Sequence, residues 1–250
     1  MYTQYNLESL FTFIGNLKGQ SCIHTQNYSY IITPENAWPN LIFNVDFTTA
    51  EFDDGIETLI QLANNNQLPA TIMGSPIPNI LTHKKLESLN VRSGEWHAMY
   101  YDTKWPLSGI QTTDISIHEV DDKEHLHHWY TIIFEVLMQG LPTNRAIIEA
   151  LYRRENCYLF IGIKDHKPVA TSLLFIEDNS GGIYYVVTEE TSRNKGYGKA
   201  LTHAAMRKAK ELGCTHIELQ ATNSGKPIYQ KLGFVEAGNI PLYKLKNQSS

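Results

Sequence analysis

An apolar run, Ile183-Tyr184-Tyr185-Val186-Val187-Thr188, leads through Glu189 to Lys195 into Gly196-Tyr197-Gly198-Lys199 and then into a segment of helical period. In that segment Ala200, Leu201, Ala204, Ala205, Ala209 and Leu212 recur at three- and four-residue steps, and Gly213 ends them. A strand that passes through a glycine loop straight into a helix confines the chain to α/β architectures. It also builds an anion cradle. Gly196 and Gly198 carry no Cβ, so the loop N–H groups can face one side, where the helix dipole adds partial positive charge. A pyrophosphate fits such a site.

Two common nucleotide loops fail on detail. A P-loop needs four residues between its glycines and a Lys-Ser/Thr pair, whereas one residue separates Gly196 from Gly198 and Lys199 precedes Ala200. The dinucleotide fingerprint needs a third small residue where Leu201 stands, although Glu218 lies about where a ribose-binding acid would be expected.

What is left, Arg193-x-x-Gly196-x-Gly198 after a strand ending Val186-Val187-Thr188, resembles the signature of the GNAT superfamily, N-acyltransferases that use acetyl-coenzyme A. Ile217 to Asn223 looks like the family's next strand, and Pro227-Ile228-Tyr229-Gln230-Lys231-Leu232-Gly233-Phe234 like its closing Tyr-x-x-x-Gly-Phe motif. Upstream, Cys157 to Ile163 and Val169 to Ile176 read as the antiparallel pair the family places before its cofactor strand. The resemblance covers roughly residues 114 to 247. It implies an α/β (α+β) GNAT fold with a central mixed, mostly antiparallel sheet.

At 250 residues and 42% hydrophobic content, the chain exceeds one typical domain of about 100 to 200 residues. Residues 102 to 114 lose periodicity and gather Pro, Gly, Ser and Thr, so domains at 1–111 and 114–250 are expected. In the first, Ser29 to Thr33, Asn40 to Phe47 and Ala70 to Met73 read as strands and Glu51 to Asn64 as a helix. A second helix and a terminal hairpin should follow. The apolar pattern of Lys85 to Tyr101 echoes that of Tyr229 to Tyr243, each read as a helix end, a strand, a turn and a strand. The first domain is thus expected to be either a smaller, degenerate copy of the second or an unrelated accessory domain. It lacks the Gly-x-Gly loop, should bind no coenzyme, and should wall the acceptor pocket. In the second, Ile115 to Val120 should be a strand and Glu124 to Leu137 a helix burying Leu126, Tyr130, Ile133, Phe134 and Leu137, with Asn144 capping the next helix.

A formal charge of −5 and a pI near 6.0 argue against general nucleic-acid binding, and Arg207-Lys208-Ala209-Lys210 reads as the wet side of its helix. Three widely spaced cysteines, Cys22, Cys157 and Cys214, suggest reduced structural thiols. The N-terminus shows no secretory pattern and no segment nears the ~20 apolar residues of a membrane span, so a cytoplasmic protein without membrane contact is expected. Glu124-His125-Leu126-His127-His128 contains no His pair at i, i+4 and no His-Glu-x-x-His, so no metal is expected.

By the resemblance, the backbone of Asn194, Lys195, Gly196, Tyr197, Gly198 and Lys199 holds the pyrophosphate, with Arg193 opening the loop. The pantetheine arm pairs with the edge at Val186, Val187 and Thr188, whose N–H groups also hold the acetyl carbonyl. Tyr229 occupies the place of the tyrosine that protonates the departing thiolate, the alternative being a tyrosine that packs the cofactor. Glu218 occupies the place of a strand glutamate that activates the amine, with a solvent-facing Glu218, Glu189 and Glu190 as rivals. Counting forward from Glu218 puts Asn223 in the family's asparagine slot, and counting back from Tyr229 puts Thr222 there. Gly225 fills a small-residue position beside the cofactor. The expected activity is acetyl transfer to a primary amine, on a small molecule or alternatively on a protein. A non-catalytic acetyl-coenzyme A sensor or scaffold is the reading from another class. Oligomeric state stays open.

Overall fold

The computed structural model describes residues 4–48, 51–76, 80–89, 91–107, 113–140 and 144–245. The expected boundary at 111 and the end of the second domain, 246–250, fall outside them. The chain opens with helix α1 (Tyr5–Gly15), which buries Leu7, Leu10, Phe11 and Ile14 at helical spacing. Short strands β1 (Ser21–His24), β2 (Ser29–Ile32) and β3 (Leu41–Phe43) follow, then α2 (Phe52–Asn64), β4 (Thr71–Met73), α3 (Ile80–Ser88) and a long strand, β5 (Arg92–Asp102).

The second half runs β6 (Ser116–Glu119), α4 (Lys123–Ile132), α5 (Arg145–Tyr152), β7 (Cys157–Lys164), β8 (Lys167–Glu177), β9 (Ser180–Thr188), α6 (Tyr197–Glu211), β10 (His216–Ala221), α7 (Lys226–Gln230) and β11 (Val235–Lys244). Asn144 caps α5 as expected, accepting from the Ala146 N–H at 3.0 Å. The helix expected over 124–137 is α only to Ile132. Ile133–Leu137 is a π segment, with Met138 N donating to Ile133 O at 3.0 Å. The extra residue per turn rotates the end of the helix, so Leu137 is 46% exposed rather than buried, and Tyr130 and Phe134 are only partly covered. Trp129 and Ile132 take the core positions instead.

The eleven strands of the described residues form one mixed sheet in the order β1-β2-β3-β4-β11-β5-β10-β9-β8-β7-β6. Among the described residues, β3–β4 and β9–β10 are the parallel pairs. From β1 inward the pairings are antiparallel, antiparallel, parallel, and the same series runs from β7 inward, so the first half repeats the topology of the second. The terminal hairpins expected in each half do not form. Each half ends instead in a single long strand, and the two strands are exchanged: β5 pairs with β10 and β11 pairs with β4, while β5 and β11 pair with each other. Strand β5 runs straight through Gly94, and near Gly238 β11 shifts register without turning. The 1–111 and 114–250 division therefore follows the sequence but does not part the sheet.

Three apolar clusters fill the layers. One, against α1, α4 and α5, joins Leu10, Phe11 and Phe43 of the first half to Trp129, Ile161 and Phe175 of the second. A second lies under α6 with Met206, Leu219 and Phe234, and a third packs α2 against β4 and β11. Both end clusters draw on the exchanged strands, through Met99 and Tyr101 in one and Tyr243 in the other. Cys157 and Cys214 are buried and all three cysteines are free thiols. No helix among the described residues is long and apolar enough to cross a membrane.

Candidate active site

Strand β9 and helix α6 meet as the glycine spacing requires. Asn194 and Gly196 both have positive φ, 63° and 82°, and Gly196 precedes the first helical residue. The N–H groups of the first helical turn, from Tyr197 onward, have no intrahelical partners and converge with the positive end of the dipole. A Cβ on Gly198 would stand 3.4 Å from Thr188 Oγ1 and 3.7 Å from Val186 Cγ1, so it would enter the slot between the helix and the end of β9. That slot suits a phosphate chain. Arg193, Asn194 and Lys195 are exposed around it, Lys199 is half-buried, and the buried Tyr197 ties the loop down by donating its hydroxyl to Asp114 at 2.7 Å. In the first half the corresponding helix α2 begins with Asp53 and Asp54, whose carboxylates would repel a pyrophosphate.

Beyond the cradle, β9 and β10 part. They pair only from His216 to Glu218 against Ser180 to Gly182. The far half of β9 is bonded to β8 alone, and a register shift between Thr171 and Leu173 coincides with Tyr185 at φ 50°. This bulge puts Tyr184 and Tyr185 on one face, while Ile183 and Val186 pack on the other. Val187 is buried core and Thr188 ends the strand. A cavity of about 350 Å³ opens at the gap, lined by Val186, Thr222 and Tyr229 toward α6 and by Leu7, Trp38, Trp96, Leu137 and Met138 toward α1.

Tyr229 reaches this cavity from α7, held edge-on against Phe234 at 6.0 Å, and burial pushes its hydroxyl up to about 12. It therefore stays a phenol at any ordinary pH. Thr222 lines the cavity and accepts from Gly225 N at 3.2 Å, whereas Asn223 is turned away, its Oδ1 2.7 Å from His97 Nε2. His97 comes from the exchanged strand β5 and is 6% exposed. Its other ring nitrogen meets Glu236 at 2.7 Å and Asn239 at 3.0 Å, and Lys226 Nζ lies 2.8 Å from Glu236. Burial pulls the imidazole pKa down, but the bonds to Asn223 and Glu236 outweigh it and raise the group above 6.5. A raised histidine stabilises the fold below pH 6.5 and loses that contribution as pH climbs through its folded value. His97→Gln is thus expected to lower stability by about 1–3 kcal/mol at pH 6 and to abolish the decline above pH 6.5, read by urea unfolding. An unchanged pH slope would remove His97 from this role.

Glu218 is neither solvent-facing nor in the cavity wall. It is fully buried beneath α1, where Oε1 accepts the N–H groups of Asn6 at 3.0 Å and Leu7 at 3.3 Å, and Oε2 has no hydrogen-bond partner among the described residues. Burial raises the carboxyl to about 8 against the lowering effect of those two bonds. Asn6 fixes the helix end by donating to Phe175 O and Ser180 O and accepting from Tyr184. A Cβ on Gly182 would collide with Asn6 Oδ1, so a glycine is needed there. The rivals differ: Glu190 is exposed, and half-buried Glu189 is raised by burial and by Glu135.

Leu7, Trp38, Trp96, Met138 and Gln220 of the cavity wall, and His97 behind it, were not singled out by the sequence. Their one signal is scarcity, since two of the four tryptophans stand in the wall. At the exposed start of α4, Asp121, Asp122 and His125 bring potential ligand atoms within 4.8 Å of one another, and Asp122 serves there as the helix cap.

Comparison with known proteins bears on the same region. Residues 123–234 match the acetyltransferase (GNAT) family. An uncharacterized N-acetyltransferase of Bacillus subtilis, YvbK, is 30% identical over 105 residues, which is 41% of this chain and 66% of that relative. A GCN5-related N-acetyltransferase from Kribbella flavida superposes on the whole chain with a TM-score of 0.75 at 14% identity, covering 97% of its own length. Another, from Sphaerobacter thermophilus, covers 89% of this chain and 82% of its own at a TM-score of 0.64 and 14% identity. Such low identities speak for the fold, and they extend it over both halves. By the family match, residues 123–234 are an acetyltransferase domain of the GNAT family.

Proposed function

We propose that the chain is an acetyl-coenzyme A dependent N-acetyltransferase acting on a primary amine of a small molecule. The observation that carries this reading is the cavity where β9 and β10 part. It takes its lining from Val186, on the strand that leads into the glycine loop, and from Trp38 and Met138, with Tyr229 also in its wall. The family generally uses acetyl-coenzyme A, whose thioester supplies the activated acyl group. The first-turn amides of α6 hold the pyrophosphate, and the unpaired edge of β9 from Val186 to Thr188 receives the arm as an added strand. The N–H groups at the Tyr185–Val186 bulge hold the acetyl carbonyl as it gains charge. Tyr229 donates its proton to the departing sulfur. Glu218 takes the amine proton, relayed by water because the carboxyl is not itself in the wall.

Release of free thiol in the presence of a panel of amines tests the reading. Tyr229→Phe is expected to lower kcat by about 100-fold with coenzyme affinity unchanged within a factor of about three. Equal rates would reduce Tyr229 to packing. Tight coenzyme binding with no thiol release from any amine would favour the sensor instead.

A further inference from the structure

The acceptor side of the cavity has a chemistry of its own. Of its two faces, the one toward α1 and α4 is walled by Leu7, Trp38, Trp96, Leu137 and Met138, with the Tyr184 and Tyr185 rings beside them. No Asp, Glu, Lys, Arg or His side chain lines the cavity among the described residues. The side-chain amide and hydroxyl groups of Gln220, Thr222 and Tyr229 belong to the end of β10 and to α7, where the strands part. Resting on the acyl-transfer reading, we propose that this face binds an acceptor amine with an aromatic or branched apolar body, and that it discriminates against acidic, phosphorylated and polyhydroxylated amines.

Three observations support this. First, a carboxylate or phosphate on the acceptor would enter without a cationic partner, and a sugar would bring more hydroxyls than the wall can satisfy. Second, the rings are held: Trp38 stands edge-to-face with Tyr185 at 5.7 Å and with Phe11 at 6.1 Å, and Tyr185 meets Trp129 at 5.5 Å. Fixed aromatic faces suit a flat apolar body and tolerate an ammonium group arriving before it loses its proton. Third, the π segment is what turns Leu137 outward, and both Leu137 and Met138 then reach the cavity. A regular helix would have carried Leu137 toward the core. π segments recur at functional sites, and this one completes an apolar rim. At about 350 Å³ the space lies within the range of small-molecule sites, about 300–1,000 Å³.

The step balances without further reagents. One C–N bond forms to the acetyl carbon and the C–S bond breaks with its electron pair leaving on sulfur. The amine gives up one proton and the thiolate takes one.

The test compares 2-phenylethylamine, glucosamine and glutamate as acceptors in the full-length protein, by thiol release and by calorimetry in the presence of coenzyme A. Phenylethylamine should exceed both others at least 10-fold in kcat/KM. Trp96→Ala should raise its KM at least 10-fold with coenzyme affinity unchanged, and Trp96→Phe should restore most of it. Leu137 is exposed, so Leu137→Ala threatens the fold less and should raise the same KM at least 3-fold. Preference for glucosamine or glutamate, or an unmoved KM in both Ala variants, overturns the proposal. So does a hexanoyl donor outpacing acetyl in a manner lost with Trp96→Ala, which would make the space an acyl pocket. Phenylethylamine binding without turnover would uphold this site and sink the transfer reading, and neither binding nor turnover would overturn the site.

Discussion

Replacing Gly196 with valine is expected to weaken coenzyme A binding at least 100-fold, to below detection by calorimetry, while leaving a folded protein. Gly196 sits at φ 82°, and a Cβ there would meet nothing closer than Thr113 Cγ2 at 3.8 Å. Space is not the obstacle. A left-handed backbone costs an ordinary residue ~1–2 kcal/mol and a β-branched one more. The loop relieves that strain by rotating away, and the amides of Tyr197 to Lys199 lose their common direction. Gly198→Ala isolates the second requirement. That Cβ finds ordinary contacts with Thr188 and Val186, so the fold should keep its stability while the slot beside β9 closes. Unimpaired binding in both variants would place the pyrophosphate elsewhere.

Glu218→Gln should make the protein more stable at pH 8.5 and little changed at pH 5. The Glu218 carboxyl, raised from 4.5 to about 8, resists ionisation in the native state. Below pH 4.5 it is protonated folded or unfolded and costs nothing. Between about 4.5 and 8 the unfolded chain releases its proton and the native one keeps it, so native stability falls as pH rises. The full difference is on the order of 5 kcal/mol. Glutamine carries no charge, and its carbonyl can still accept from Asn6 and Leu7. Urea unfolding at the two pH values measures this, and parallel pH profiles for the two proteins would refute it. The same variant tests the proposed base. Wild-type kcat/KM should rise through an inflection near pH 8, and Glu218→Gln should remove the inflection and about 100-fold of the rate. A lost stability slope with an intact rate would leave Glu218 as a lock between α1 and β10.

Much of the site is readable along the chain because its requirements are local. The glycines at 196 and 198, the apolar period of α6 and the Tyr229 to Phe234 spacing each lie within a few turns, and each acts through backbone conformation or helical phase. The Thr222 and Asn223 question was not local. The spacing allowed either, and the side chains part because His97, on a strand 126 residues away, bonds Asn223. Leu137 misleads for a related reason. Its period is that of a regular helix, and the π segment that overrides it packs against β9, a strand about 50 residues further along the chain.

By itself the sequence determined the parts: an apolar strand, a glycine loop, a helix with the right buried face, a tyrosine five residues before Phe234, and a first half that echoes the second. Tertiary structure alone decided how those parts divide the labour. The exchange of β5 and β11, the seating of α1 over Glu218 from 212 positions away, and the tryptophan wall all depend on which surfaces meet. Apolar period tells which face of an element is buried. It carries no information on the distant partner that covers it.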